Sequence, residues 1–118
     1  MKTTIYHNPS CSKSRATLAL LYEHGITPEI VLYLETPPDA AALKSLLTKL
    51  GMEPRELLRT DEPEYAALGL ANPALSREAL LAALAAHPKL LQRPIVVVGD
   101  RAVLGRPPEA VMTLFAEH

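Results

Sequence analysis

The only cysteine of the chain, Cys11, lies in the stretch YHNPSCSKSR, which combines turn-forming and polar residues. A single thiol forms no internal disulfide and supplies no cysteine-cluster metal site, so we expect no bound metal. If a helix begins near this cysteine, the unpaired N–H groups and the dipole of the helix favour an anion, and the thiolate is the nucleophilic form of cysteine. The neighbours that could stabilise this thiolate by hydrogen bonds or charge are His7, Asn8, Ser14 and Arg15.

Structural roles are the alternative for two of these residues. A lone cysteine is often a small buried hydrophobic residue. The turn formers and polar residues around Cys11 make a poor apolar pocket, which favours a reactive thiol. His7, taken by itself, is equally compatible with a purely structural role.

Three arginines form a second candidate site, for an oxyanion. They are Arg59, Arg93 and Arg106, and each lies at the boundary of a predicted element. Guanidinium groups are always charged and fork-shaped, so three that converge would bind a tetrahedral oxyanion tightly. Convergence is an expectation, because each arginine alone is also typical of a solvated surface position. Pro94, at the start of a predicted strand, is a candidate cis proline.

Strands must position these residues. Runs of β-branched, aromatic and other apolar residues predict strands at 3–7, 29–34, 94–98 and 101–105. The dipeptide GD at 99–100 predicts a tight hairpin between the last two.

Helices are predicted between and after the strands. The first runs from about Cys11 to His24 with Leu18, Leu21 and Tyr22 on one face, and Gly25 ends it. A second starts at Thr36, Pro37 and Pro38 and ends at Gly51. Residues 54–86 read as three helical pieces, the last capped by Ser76, and residues 107–117 form a closing helix.

This order of elements predicts an α/β protein with a thioredoxin-like fold. The N-terminal βαβ unit is parallel and right-handed, and the C-terminal ββα unit is antiparallel, so the four-stranded sheet is mixed. A helical insertion, about 37–88, lies between the two units. A chain of 118 residues is typical of a single domain, and we expect 1–118 to form one.

Composition excludes several classes of function. Hydrophobic residues make up 48% and charged residues 21% of the chain, and the formal charge is −1 without a basic run, so we expect no nucleic-acid binding. No apolar run is long enough to span a membrane, and the first residues lack the apolar core of a signal peptide. We therefore expect a cytoplasmic protein, and no apolar surface stripe suggests more than a monomer.

Five motifs together resemble the glutaredoxin-coupled arsenate reductases of the thioredoxin-like superfamily. They are YHNPSCSKSR, YLETPP, LLRTDEPEYAALGL, HPKLLQRPIVV and GRPPE, and the resemblance extends from residue 4 to about residue 112. The well-studied members have CGTSR where this chain has CSKSR, a variant associated with a subgroup of arsenate reductase-like proteins. In this variant Lys13 adds a cation near the thiol.

The resemblance implies a function and a role for each candidate residue. Cys11 is similar to the family nucleophile, His7 and Ser14 to the residues that stabilise its thiolate, and Pro94 to the family's cis proline. Arg59, Arg93 and Arg106 are similar to the arginines that bind the oxyanion. The implied activity is an oxidoreductase of arsenic resistance that reduces arsenate to arsenite through a covalent Cys11 adduct. It would have no bound cofactor, glutathione as co-substrate and glutaredoxin as protein partner.

Other thiol-based functions fit less well. A dithiol redox protein needs C-x-x-C, and the fourth position here is Ser14, which leaves a monothiol glutathione-dependent oxidoreductase acting on another substrate. A phosphatase loop C-x5-R needs an arginine where Thr17 stands. A non-enzymatic interaction protein similar to the Spx regulators is a further alternative, although those typically use a C-x-x-C switch.

Overall fold

The computed structural model describes residues 2–115 of a chain that divides into two compact units. The first unit comprises Met1–Thr36 and Arg93–His118, and the second comprises Pro37–Gln92. The second unit contains the predicted insertion at 37–88 and extends four residues beyond it. A single domain over 1–118 stays a prediction.

A mixed four-stranded sheet forms the centre of the first unit. Its strands are β1 (Thr3–His7), β2 (Glu29–Leu32), β3 (Ile95–Val98) and β4 (Arg101–Leu104). They lie in the order β2-β1-β3-β4, with β1 parallel to β2 and β3 antiparallel to both β1 and β4. The helix α1 (Ser12–Glu23) connects the parallel pair, and a turn at 99–100 connects β3 to β4. The predicted α/β class and mixed sheet are confirmed.

The core of this unit lies where α1 and the closing helix pack on one face of the sheet. Its buried members are Ile5, Leu21, Val96, Val111 and Leu114. Ile5 and Val96 are partners across β1 and β3, and therefore contribute to the same face. The predicted end of α1 is also confirmed, because Gly25 is left-handed (φ +74°) and the Ile26 N–H donates to the Leu21 carbonyl at 2.9 Å.

Several predicted boundaries in this unit are wrong. β2 ends at Leu32 instead of 34, because the N–H groups of Glu35 and Thr36 both donate to the Leu32 carbonyl, each at 2.9 Å, and turn the chain. β4 ends one residue early, at Leu104. Tyr22 is half exposed and does not belong to the buried face of α1. The closing helix is a 3-10 helix, Pro108–Phe115, and the predicted positions 116–117 lie outside the described residues.

The second unit is helical, as predicted. It contains α2 (Ala40–Leu50), α3 (Pro54–Leu57), α4 (Pro63–Ala67), α5 (Arg77–Ala86) and a 3-10 helix, Pro88–Leu90. α5 contacts α2, α3 and this 3-10 helix through buried leucines. The Ser76 cap is confirmed, since its Oγ accepts the Ala79 N–H at 3.1 Å. The start of α2 was predicted too early, because the N-cap is Asp39, whose Oδ1 accepts the Ala42 N–H at 2.8 Å. None of the helices within residues 2–115 has the length and apolar character needed to cross a membrane.

Candidate active site

Cys11 is the N-cap residue of α1. Its backbone is extended (φ −98°, ψ 124°), and its side chain makes no capping hydrogen bond. By contrast, the side chains of Asp39 and Ser76 cap α2 and α5. The first turn of α1 also contains no acidic residue. No cap side chain therefore competes for the N–H groups and the positive end of this helix, which favour an anion beside the Cys11 sulfur.

Asn8 shapes the turn that leads from β1 to the thiol. Its Oδ1 accepts the Ser10 N–H and its carbonyl accepts the Cys11 N–H, both at 3.0 Å. Its own N–H donates to Oγ of Ser14, also at 3.0 Å. An asparagine side chain that accepts from the backbone two residues ahead is a common turn-forming contact. The backbone just before Cys11 is thus fixed at three points by one buried residue.

His7 and Ser14 form a buried pair behind this turn. Nδ1 of His7 and Oγ of Ser14 are joined by a hydrogen bond of 2.6 Å. Burial, and then the positive charge of Arg15, lower the pKa of His7 below its ordinary value of 6.5. The imidazole is therefore mostly neutral at neutral pH and acts through hydrogen bonding, whereas a permanent positive charge comes from Arg15.

Arg15 and Lys13 lie on the exposed side of the first turn of α1. Nη1 of Arg15 donates to the carbonyl of Pro9 at 2.9 Å, so the guanidinium lies against the turn that carries Cys11. This contact holds one cation near the start of the helix. Two cations close to the helix start strengthen the preference for an anion there.

The end of the sheet that carries His7 also carries Pro94 and Gly105. The register pairs Tyr6 with Ile95 and Ile95 with Leu104, so its continuation by one residue places Pro94 beside His7 and Gly105 opposite Pro94. The Gly105 N–H donates to the Pro94 carbonyl at 2.9 Å. The Arg93–Pro94 peptide bond is cis, the geometry that the resemblance implies, and the Arg106–Pro107 bond is cis as well.

Gly105 lies where its neighbours leave no room for a side chain. A Cβ atom at this position would lie 2.6 Å from Oγ1 of Thr17 and 2.7 Å from Cγ of Pro94. Thr17 is fully buried on α1, and its hydroxyl donates to the Lys13 carbonyl at 2.8 Å. Gly105 and Thr17 thus join the ends of β3 and β4 to the helix that begins after Cys11. Gly105 was not among the predicted site residues, although a glycine at the end of a strand often marks a close approach.

Two of the three predicted oxyanion-binding arginines meet in the first unit. Nη1 of Arg106 donates to the carbonyl of Arg93 at 3.1 Å. Nε of Arg93 is buried and has no hydrogen-bond partner within residues 2–115. Arg59 belongs to the second unit, where its guanidinium contacts Asp61 and Glu62. Convergence of all three arginines stays a prediction.

Comparison with known proteins decides the family. The model of the ArsC family matches residues 6–114, which is most of the chain. The chain belongs to the ArsC family. The family assignment made from the five motifs is confirmed, and the assignment to a CSKSR subgroup stays a prediction.

Relatives of this ArsC protein are similar over almost their whole length. It is 58% identical to the uncharacterized protein YfgD of Escherichia coli (strain K12), over 93% of each chain. It is 52% identical to an arsenate reductase of Neisseria meningitidis serogroup B, over 91% of this chain and 92% of the relative. The solved structure of the arsenate reductase from Vibrio cholerae is 52% identical, with a TM-score of 0.94 over 96% of this chain and 97% of that chain. The thioredoxin-like fold predicted from the sequence is thereby confirmed.

Proposed function

We propose that this protein is an arsenate reductase in which Cys11 is the nucleophile. The observation that carries the proposal is the position of the only cysteine of the sequence, at the N-terminus of a helix whose N-cap side chain makes no capping hydrogen bond. Several similar relatives are named arsenate reductases, which supports the choice of substrate. The protein is expected to act as a monomer in the cytoplasm.

The first chemical step is attack on a bound oxyanion. Arg59, Arg93 and Arg106 hold arsenate through charge-assisted hydrogen bonds. The Cys11 thiolate, stabilised by the helix terminus and by the turn that His7, Asn8, Ser14 and Arg15 support, attacks arsenic. A sulfur–arsenic bond forms, and an arsenic–oxygen bond breaks as hydroxide or water leaves. Arsenic keeps its oxidation state in this step.

The second step transfers the electrons. A glutathione thiolate attacks the Cys11 sulfur of the adduct, a disulfide bond forms, and the electron pair of the sulfur–arsenic bond passes to arsenic. Arsenite leaves, and two thiols have been oxidised to one disulfide. Glutaredoxin then removes glutathione from Cys11 by thiol exchange, which restores the thiolate.

The test is arsenate-dependent NADPH oxidation by the purified protein with glutathione, a glutaredoxin and glutathione reductase. We expect turnover by the wild-type protein and by Ser12→Ala, which alters an exposed residue next to the thiol. Cys11→Ser should abolish turnover and leave the thermal unfolding curve unchanged. Arsenate reduction by a folded Cys11→Ser protein would refute the proposal.

Absence of activity in the wild-type protein would point to the second candidate. If alkylation at neutral pH still shows a reactive Cys11, we expect a monothiol glutathione-dependent oxidoreductase with another substrate. A monothiol mechanism needs only one cysteine, so the same site is compatible with this alternative.

A further inference from the structure

The backbone of Arg59 is held firmly within the second unit. Its N–H donates to the Leu90 carbonyl at 2.7 Å, and the preceding residue, Leu58, pairs with Leu91 in an isolated antiparallel bridge. The side chain of Arg59 is only 14% exposed. The guanidinium therefore starts from a fixed point and has little room to move.

One edge of this guanidinium is already occupied by a carboxylate. Nε of Arg59 donates to Oδ1 of Asp61 at 3.4 Å, and Nη2 donates to Oδ2 at 3.1 Å. A carboxylate oxygen of Glu62 lies 3.8 Å from Nη2. The remaining nitrogen, Nη1, is buried and has no hydrogen-bond partner within residues 2–115. Asp61 thus contacts two nitrogens along one edge of the guanidinium, the geometry that a two-oxygen anion would use.

The Asp61 carboxylate can move away from this contact more easily than the Arg59 guanidinium can. Its side chain is 71% exposed, and it lies in the turn just before α4. Only the carboxylate end of this ion pair is exposed, so water can solvate Asp61 when it turns away and an arriving anion can take its place on the largely buried guanidinium. The guanidinium is held in place, whereas another anion can replace the carboxylate that contacts it.

We propose that the Asp61 carboxylate occupies the guanidinium of Arg59 until an oxyanion displaces it, so that Asp61 sets the affinity of the protein for oxyanions. Two negatively charged groups cannot share the same edge of one guanidinium, because each repels the other at this distance. An incoming arsenate must therefore break the Asp61 contact before it can use Nε and Nη2. The inference rests on the proposed role of Arg59 in oxyanion binding, and it makes Asp61 a positioning residue for Arg59.

The experiment compares Asp61→Asn with the wild-type chain. Asparagine keeps the shape of the side chain and removes its charge, so it competes less well for the guanidinium. The matched control is Asp100→Asn, which removes the same charge from the exposed hairpin turn of the other unit. Calorimetric titration at constant ionic strength with arsenate, and with sulfate as a tetrahedral anion that thiols do not reduce, gives the dissociation constants.

We expect Asp61→Asn to bind both anions about two- to five-fold more tightly than the wild type, and Asp100→Asn to bind them as the wild type does. In the reductase assay Asp61→Asn should lower the KM for arsenate by a similar factor and leave kcat unchanged. A purely structural role for Asp61 would not produce this separation of KM from kcat.

Equal or weaker binding by Asp61→Asn overturns the inference, and so does a failure of every variant to bind either anion. The outcome for the proposed function is separate. Tighter anion binding by Asp61→Asn without any arsenate turnover would support the inference and reject the reductase. Normal turnover with no gain in affinity would keep the reductase and reject the inference.

Discussion

At the scale of single residues, Ser14 links the turn, the imidazole and the helix. The side chain is fully buried, and its oxygen contacts both Nδ1 of His7 and the N–H of Asn8. Ser14→Ala leaves these two buried polar groups without their partner, which costs about 1–3 kcal/mol per group. For the two groups together, we expect urea denaturation to show a loss of about 2–6 kcal/mol in the free energy of unfolding.

Ser12→Ala is the matched control for Ser14→Ala, because Ser12 is exposed in the same helix. It should change the free energy of unfolding by no more than about 0.5 kcal/mol. Similar unfolding midpoints for the two variants would contradict a structural role for the buried hydroxyl. Reduced activity of Ser14→Ala under conditions in which it is folded would show that the Ser14 hydroxyl also supports the chemistry of Cys11.

The second residue-scale prediction concerns pH and His7. Its pKa is lowered, by burial first and by the charge of Arg15 second, so in the titration range the unfolded chain binds the proton more readily than the native one. Neutral His7 therefore contributes fully to the free energy of unfolding above the ordinary pKa of 6.5. This contribution is lost as the pH falls through the lower pKa of the native state. The NMR titration of the His7 ring protons should give a midpoint below 6.5.

His7→Gln supplies the comparison, because glutamine does not titrate. Between about pH 8 and pH 5 the wild type should lose more unfolding free energy than His7→Gln. The contributions of the other histidines and of the carboxylates cancel in this difference. A His7 midpoint at or above the value for a free histidine would show that burial does not govern this group.

Much of the candidate site at this scale can be predicted from residue types. Cys11 and its neighbours are visible in the sequence because a lone thiol among turn formers and cations is chemically unusual. Thr17, Gly105 and Asp61 are not visible in the same way. Their importance depends on which atoms approach each other after folding, and no local pattern encodes a contact such as the one between residues 17 and 105.

At the scale of elements, the contact of Gly105 with α1 should determine how the ends of β3 and β4 are held. Gly105→Ala inserts a methyl group within 2.7 Å of both Thr17 and Pro94, so the strand end or the helix must move. We expect a loss of about 1–3 kcal/mol in unfolding free energy. We also expect a lower kcat/KM for arsenate, because Arg93 and Arg106 are the chain neighbours of the displaced residues.

Gly25→Ala separates this steric effect from backbone strain. Gly25 is left-handed (φ +74°), and a Cβ atom there meets nothing within 4 Å among the described residues 2–115, so the substitution costs roughly 1–2 kcal/mol through the backbone alone. Activity under native conditions should be unchanged in Gly25→Ala. If both variants lose stability and keep full activity, the close approach at Gly105 does not position the arginines.

Element boundaries were predictable where a cap is visible in the sequence. Ser76 begins α5 and Gly25 ends α1 as predicted, because a serine cap and a left-handed glycine act through their own backbone neighbours. The start of α2 was misplaced because Pro37 and Pro38 resemble a first helical turn, while the cap is Asp39. The predicted β2 is too long because Tyr33 is buried but does not belong to a strand. Burial and strand pairing are separate properties, and apolar character reports only the first.

At the scale of the whole molecule, the topology of the sheet was more predictable than the site it carries. A parallel pair joined by a helix and a terminal hairpin leave few arrangements of four strands. The division into Met1–Thr36 with Arg93–His118 and Pro37–Gln92 follows the predicted insertion closely. Which arginines meet is a different question, because Arg59 lies in one unit while Arg93 and Arg106 lie in the other.

The source of electrons is also a property of the whole chain, because 118 residues contain one cysteine. A dithiol enzyme would resolve its own adduct, whereas in the proposed reductase these 118 residues supply one thiol, so we expect the second thiol to come from another molecule. We expect turnover to require glutathione. We expect it to reach its full rate only when glutaredoxin is also present. When arsenate and glutathione are supplied without glutaredoxin, mass spectrometry should find Cys11 carrying one glutathione.

A second copy of the chain is the competing source of that thiol. Attack by the Cys11 thiolate of another molecule would give a disulfide-linked dimer, and the rate would then rise with the square of the protein concentration. With glutathione as the thiol, the rate is instead proportional to protein concentration, and non-reducing electrophoresis shows only the single chain. A covalent dimer that forms when arsenate is added without glutathione, with one arsenite released per dimer, would show that the second thiol comes from another copy, and glutathione would then serve only to reduce that disulfide.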